Sequence, residues 1–214
     1  MWVKICGITR AEDARIAAEL GADALGFVFW PGSRRCISQE AARTIVRSIP
    51  PSVVSVGVFV DQPAEQVEAV ALAVGLCAVQ LHGSETLDYC ARLSVPIIKA
   101  IGAGADFSAA TVAGWPASVM LLLDADDPDK HGGTGLTANW PAAAAVASER
   151  RIILAGGLTP DTVAQAIRFV RPFGVDVSSG VESRRGVKDA VRLRSFVEAA
   201  RNAAAEVACD VHTA

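Results

Sequence analysis

The chain has 214 residues, of which 51% are hydrophobic and 20% are charged, so one compact domain can bury a sizeable core. Its formal net charge is −3, and acidic and basic residues are mixed along the whole sequence, which excludes the basic stripe needed to bind nucleic acid. No apolar run approaches the roughly 20 residues that span a bilayer, and the amino terminus does not resemble a signal peptide, so we expect a cytoplasmic protein without membrane partners.

Short runs rich in valine, isoleucine and leucine alternate with longer segments that carry apolar residues at helical spacing. Strands are predicted, in chain order, at residues 2–6, 24–29, 53–58, 77–81, 96–100, 118–123, 151–155 and 174–178. All but one are followed by a clear amphipathic segment, such as 11–20, 63–74 or 159–170. The exception follows the fifth strand, where glycines and a proline leave room only for a short helix near 107–113.

Most of these strands are continuous apolar runs, as expected when both faces of a parallel sheet are covered. Strand–helix units at a spacing of about 25 residues fill the chain, and a closed (β/α)8 TIM barrel leaves no edge strand exposed. We therefore predict an α/β protein with a single barrel domain over residues 1–205 and a C-terminal tail at 206–214. An open, doubly wound sheet is the alternative.

The five cysteines are odd in number and widely spaced, without a C-x-x-C pair, so the sequence signals neither a disulfide framework nor a metal site. We expect Cys36, Cys77 and Cys90 to be small hydrophobic residues in or near the core, and Cys209 to lie in the tail. Cys6 differs from these because it ends the first strand.

Active sites of such barrels are built at the carboxyl ends of the strands, where two segments of this chain predict a phosphate site. Gly156 and Gly157 follow the seventh strand, and Ser178, Ser179 and Gly180 follow the eighth. Backbone amides in such loops can bind a phosphate, although each segment alone is also typical of a simple turn. A third glycine-rich loop, residues 132–135, follows the sixth strand.

Cys6 and Asp124 end the first and sixth strands, so they can move protons from opposite sides of a substrate bound across the barrel mouth. A buried structural thiol and a helix N-cap are the alternative roles. Strand parity places Lys4 on the same side as Cys6, facing the barrel interior. A buried ammonium needs a partner, and we predict an ion pair with Asp176 on the adjacent eighth strand.

Several segments, taken in order, resemble the phosphoribosylanthranilate isomerase family of tryptophan biosynthesis. The resemblance covers nearly the whole predicted barrel and rests on Val3–Thr9, Gly26–Arg35, Gly57–Val60, Val79–Gly83, Leu123–Asp124, Gly132–Gly135, Ala155–Leu158 and Asp176–Glu182. The sequence departs from the family at Trp30, where a tyrosine is common, at Leu136, where a lysine is common, and in the loop at 126–130.

The resemblance implies an Amadori rearrangement of N-(5-phosphoribosyl)anthranilate to the corresponding 1-deoxyribulose 5-phosphate, with no cofactor and no metal. By position, Cys6 matches the general base, Asp124 the general acid and Arg35 the arginine that binds the anthranilate carboxylate. Gly157, Ser179 and Gly180 match phosphate contacts. Gln80, His82 and Asp176 are further candidate substrate contacts, although a structural, hydrogen-bonded role is the alternative for the first two.

This reaction makes opposite demands on the two groups, since the acid must hold a proton near neutral pH and the thiol must lose one. We expect Lys4 to lower the pKa of Cys6 and partial burial to favour protonated Asp124.

Two other functions stay open from the sequence. One is the related phosphosugar isomerase of histidine biosynthesis, which uses two aspartates, so that Cys6 disfavours it. The other is a non-catalytic phosphate-binding barrel, which the presence of both Cys6 and Asp124 disfavours. We expect a monomer, with a homodimer as the alternative.

Overall fold

The computed structural model describes residues 1–124 and 139–212, and within them it forms a closed barrel of parallel strands. The strands are β1 (Trp2–Ile5), β2 (Ala24–Val28), β3 (Val54–Phe59), β4 (Ala78–Leu81), β5 (Ile97–Gly102), β6 (Met120–Asp124), β7 (Ile152–Leu154) and β8 (Gly174–Val177). Each strand pairs with the next, and β8 pairs with β1. That last pairing confirms the predicted barrel and excludes the open sheet.

The helices surround the strands. They are α1 (Ala11–Glu19), α2 (Gln39–Val46), α3 (Ala64–Val74), α4 (Leu87–Cys90), α5 (Ala109–Val112), α6 (Trp140–Glu149), α7 (Val163–Val170) and α8 (Ala190–His212). A 3₁₀ turn (Ser179–Val181) and a small hairpin, β9 (Glu182–Arg184) with β10 (Val187–Lys188), follow β8. Helix α8 continues past residue 205, where we expect the tail to begin. None of the helices in the described ranges is long and apolar enough to cross a membrane.

Local sequence accounts for several helix boundaries. The Ser38 side chain accepts a hydrogen bond from the Ala41 amide at the start of α2, and Asn139 caps α6 in the same way. Helix α3 ends at Gly75, whose φ of 81° is left-handed and therefore favours glycine.

Two of the described helices, α4 and α5, are short, whereas only one short helix is predicted. The short α5 is predicted, but α4 has only 4 residues although a clear amphipathic helix is predicted after β4. The reason lies in the preceding loop, where the backbone amides of Asp61 and Gly83 donate to the Glu85 carboxylate. This loop takes up much of the connection before Thr86 caps the helix.

Strand residues alternate between two apolar layers. The barrel interior contains one cluster, formed by Ala24, Val56, Ala78, Ile98, Ala100, Leu122, Ile153 and Ala155. Leu121 and Leu123 belong instead to the larger cluster between strands and helices, together with Phe27 and Phe59. Leu122 therefore shares its face with Asp124, and the aspartate points toward the mouth of the barrel.

The cysteines depart in part from expectation. Cys6 and Cys90 are buried, but Cys36 and Cys77 are exposed, so placing these two in or near the core is wrong. Both lie just outside the strands, Cys36 in the loop after β2 and Cys77 immediately before β4.

Candidate active site

A cavity at the mouth of the barrel brings the strand-end side chains together. It is lined by Cys6, Val28, Trp30, Ser33, Arg35, Val58, Val60, Gln80, His82, Asp124, Asp176 and Ser178. Cys6 is 8% exposed and Asp124 also 8%, so both groups are largely shielded from solvent. A thiol from the end of β1 and a carboxyl from the end of β6 thus line one cavity.

A second cavity adjoins the first and is lined by the loops after β7 and β8. Its walls include Asp124, Ala155, Gly156, Gly157, Leu158, Asp176, Val177, Ser178, Ser179 and Gly180. Gly156 and Gly157 have φ angles of 87° and 63°, a left-handed conformation that side chains disfavour. A Cβ added at Gly180 would overlap the backbone carbonyl of Leu158, so the two loops are in direct contact. Glycine is therefore required on both sides of this cavity, which we call the glycine cavity.

Lys4 and Asp176 form the predicted ion pair beneath the mouth cavity. The Lys4 Nζ lies 2.9 Å from Asp176 Oδ1, and the lysine is 0% exposed. Their backbones are direct partners in the β1–β8 register. Burial lowers the pKa of Lys4, but the carboxylate and Cys6 together outweigh it, so the pKa is raised.

Lys4 lowers the pKa of Cys6, as expected, but the net shift at Cys6 is upward. Burial raises the pKa of the thiol, Lys4 and Lys188 lower it, and Asp176 raises it again. The net result is a pKa above the ordinary value of 9.0. The expected effect of Lys4 is present, but the desolvation of Cys6 and the Asp176 carboxylate that already pairs with the lysine together outweigh it.

Arg35 is engaged by a residue that the sequence analysis does not single out. Its Nε and Nη2 atoms donate to the two carboxylate oxygens of Glu182 at 2.7 and 2.9 Å, an association with one edge of the guanidinium. The Lys188 Nζ lies 3.1 Å from Glu182 Oε1 and donates to the Ser178 carbonyl at 2.9 Å. These two cations lower the pKa of Glu182 although burial, the largest single influence, raises it.

Gln80 and His82 lie on one face at the end of β4, as expected. Gln80 Nε2 is 3.0 Å from His82 Nδ1, and His82 Nε2 is 3.4 Å from Asp124 Oδ2. The three side chains form a row that crosses the mouth cavity from β4 to β6.

The loop that carries His82 is held by a buried ion pair that the sequence analysis also misses. Lys99 on β5 donates to Glu85 Oε2 at 2.7 Å and to the Gly83 carbonyl at 2.6 Å, and Lys99 and Glu85 are both buried. An isolated lysine in an apolar strand is the signal that could have indicated such a partner.

Some expectations fall outside the described residues, namely the glycine-rich loop at 132–135, Leu136 and the loop at 126–130. In the described ranges, no group of three or more histidine, cysteine, aspartate or glutamate side chains could hold a metal ion.

Comparison with known proteins identifies close relatives. A relative from Pelobacter propionicus named N-(5'-phosphoribosyl)anthranilate isomerase is 48% identical over 204 residues, which cover 95% of this chain and 97% of the relative. The crystal structure of phosphoribosyl anthranilate isomerase from Thermus thermophilus superimposes with a TM-score of 0.85 at 42% identity, covering 94% of this chain and 99% of that one.

A third relative has been solved with a ligand. This phosphoribosyl anthranilate isomerase is in complex with reduced 1-(o-carboxyphenylamino)-1-deoxyribulose 5-phosphate; it has a TM-score of 0.82 at 40% identity, and covers 94% of this chain and 99% of that one. The profile of the N-(5'-phosphoribosyl)anthranilate (PRA) isomerase family matches residues 3–199. The chain belongs to the N-(5'-phosphoribosyl)anthranilate isomerase family.

Proposed function

We propose that this isomerase carries out the Amadori rearrangement of N-(5'-phosphoribosyl)anthranilate with Asp124 as the general acid and Cys6 as the general base. The observation that carries the proposal is that Cys6 and Asp124 line one cavity, which adjoins the glycine cavity. An acid and a base on opposite strands can act on two different atoms of one bound sugar.

The reaction proceeds in three steps. Asp124 gives its proton to the furanose ring oxygen while the bond from that oxygen to C1′ breaks, leaving a protonated Schiff base between C1′ and nitrogen. The Cys6 thiolate then removes the proton from C2′, and the electron pair of that bond forms the C1′–C2′ double bond of an enolamine. Loss of the proton on the C2′ hydroxyl and gain of one at C1′ give the ketone product.

Two lysines support the thiolate form of Cys6. Lys4 and Lys188 both lower the pKa of the thiol and act against burial, which raises it. Since burial is the larger influence, the pKa of Cys6 in the free enzyme lies above its ordinary value. We expect activity to rise as the pH approaches the pKa of Cys6.

Arg35 has a second edge with which to bind the substrate carboxylate. A guanidinium has five N–H donors, and Glu182 occupies the edge formed by Nε and Nη2. The end formed by Nη1 and Nη2 still presents a pair of N–H groups for a carboxylate. Arg35 lines the mouth cavity, so we propose that this end binds the anthranilate carboxylate while Glu182 fixes the guanidinium plane.

The glycine cavity is the proposed phosphate site. Backbone amides at Gly156, Gly157, Ser179 and Gly180 can donate to phosphate oxygens, and the three glycines leave no side chain in the way of a close approach. The ligand of the solved relative also carries a carboxyphenyl group at one end and a phosphate at the other. A substrate of that kind would extend from Arg35 to the glycine cavity, with its sugar between Cys6 and Asp124.

The test follows the loss of phosphoribosylanthranilate fluorescence with purified protein. We expect Cys6→Ser and Asp124→Asn each to lower kcat by at least about a hundredfold, the usual scale for losing a positioned acid or base. Cys36→Ser is the matched control, because its thiol is exposed, and it should keep full activity. Unchanged turnover in either of the first two variants would remove that residue from the mechanism.

A further inference from the structure

The side-chain amide of Gln80 is buried, and one of its atoms has no partner. Gln80 is 1% exposed, its Nε2 lies 3.0 Å from His82 Nδ1, and its Oε1 has no hydrogen-bond partner in the part of the chain that the structure describes. A buried carbonyl oxygen without a partner costs free energy, so this orientation of the amide calls for a compensating role.

The orientation of the amide determines which nitrogen of His82 carries the proton. An N–H of Gln80 can donate to Nδ1 only if that nitrogen is unprotonated. The proton of the neutral imidazole is then on Nε2, which lies 3.4 Å from Asp124 Oδ2. With the amide turned by 180°, Oε1 would accept from a protonated Nδ1, and Nε2 would face Asp124 with a lone pair instead.

We propose that Gln80 is a positioning residue that selects the Nε2–H tautomer of His82 and thereby directs an N–H donor at the acid Asp124. This inference rests on the proposed function for the role of Asp124. In the free protein the Nε2 atom lies 3.4 Å from Oδ2, within ion-pair range, and this distance can shorten to a hydrogen bond when substrate binds. As the Asp124 proton passes to the substrate, negative charge develops on the carboxylate, and the His82 N–H stabilises it without reorganisation.

The residues around Gln80 and His82 hold these two side chains in fixed positions. Gln80 and His82 are two residues apart at the end of β4 and therefore share a face. The loop after His82 is clamped by Glu85, which accepts from the Gly83 amide at 2.9 Å and from Lys99 at 2.7 Å. Because the end of β4 and the buried Lys99–Glu85 ion pair hold His82 in place, its Nε2 atom stays directed at Asp124.

The direct test is ¹⁵N NMR of the imidazole ring at a pH at which the ring is neutral, since the two tautomers give distinct nitrogen shifts. The sequence contains three histidines, so comparison with His82→Asn assigns the signals. We expect the Nε2–H tautomer in the wild type, loss of this preference in Gln80→Met, which fills the same space without a donor, and the Nδ1–H form in Gln80→Glu, whose carboxylate accepts from Nδ1. Gln66→Met, at an exposed position, is the control and should leave the ring signals unchanged.

Kinetics provide the second readout. Gln80→Met should lower kcat between about threefold and about tenfold, the rate equivalent of one hydrogen bond, with little change in KM. In the His82→Asn background the same substitution should cause no further loss, because its effect passes through the ring. An Nδ1–H tautomer in the wild type, an unchanged tautomer in Gln80→Met, or additive losses in the double variant would each overturn the proposal. An inactive wild type with the Nε2–H tautomer would instead count against the proposed function alone.

Discussion

Replacing Lys4 by methionine should destabilise the barrel strongly, because it leaves the Asp176 carboxylate without its buried partner. The two charges lie 2.9 Å apart, so their attraction at an effective dielectric constant of about 20 is about 6 kcal/mol. Desolvation offsets much of this, but removing one partner of a buried pair typically costs about 3–5 kcal/mol. We therefore expect the free energy of unfolding of Lys4→Met to fall by about that amount.

Urea unfolding followed by circular dichroism measures this loss as a lower midpoint with an unchanged slope. The matched control is Arg15→Met, because Arg15 pairs with Glu19 at 2.8 Å but both side chains are about 60% exposed, and that pair should be worth less than about 1 kcal/mol.

A second substitution separates the charge from the packing. Lys4→Met combined with Asp176→Leu removes both charges and should recover most of the lost stability, since a packed apolar pair can replace a buried ion pair. It should not recover activity, because Cys6 would then lack the lysine that favours its thiolate. A Lys4→Met protein within about 1 kcal/mol of the wild type, or a double variant no more stable than the single one, would show that the buried ion pair does not stabilise the barrel in this way.

Three further outcomes follow from the same contacts. Lys188→Met removes a cation that lowers the pKa of Cys6, so the thiolate forms at higher pH. The rise of kcat/KM with pH should therefore move in the alkaline direction. An unchanged or acid-shifted pH profile would contradict this. Glu182→Gln should raise KM by about tenfold or more with a smaller effect on kcat, because Arg35 loses the partner that fixes the plane of its guanidinium. Steady-state kinetics on a variant with an intact circular dichroism spectrum would show this change. Gly180→Ala should raise KM and lower the unfolding midpoint together, since the added Cβ pushes apart the loops of the glycine cavity; wild-type values for both would exclude this cavity as the phosphate site.

The barrel could be predicted from sequence because its signals are local. Each strand is a short apolar run, and period-two parity places Lys4, Cys6 and Asp124 on the inner face. Closure of the barrel then puts β8 beside β1, which is enough to pair Lys4 with Asp176 across 172 positions.

The features that the sequence does not predict depend on contacts between residues far apart in the chain and on burial, which no local pattern encodes. Arg35 and Glu182 are 147 positions apart, and they meet through the β9–β10 hairpin, which the strand pattern does not indicate. The net direction of the Cys6 pKa shift could not be predicted for a related reason: desolvation depends on how completely the thiol is buried, which the sequence alone does not specify. The contact of His82 with Asp124 likewise requires the geometry of the closed barrel.

The placement of the sugar between Cys6 and Asp124 is tested by a crystal structure of this chain with the reduced product analogue bound. We expect Cys6 Sγ within about 3.5 Å of the carbon that corresponds to C2′ and the Asp124 carboxyl on the opposite side of the sugar, with the phosphate in the glycine cavity. An analogue whose sugar lies away from Cys6, or whose phosphate binds elsewhere, would contradict it.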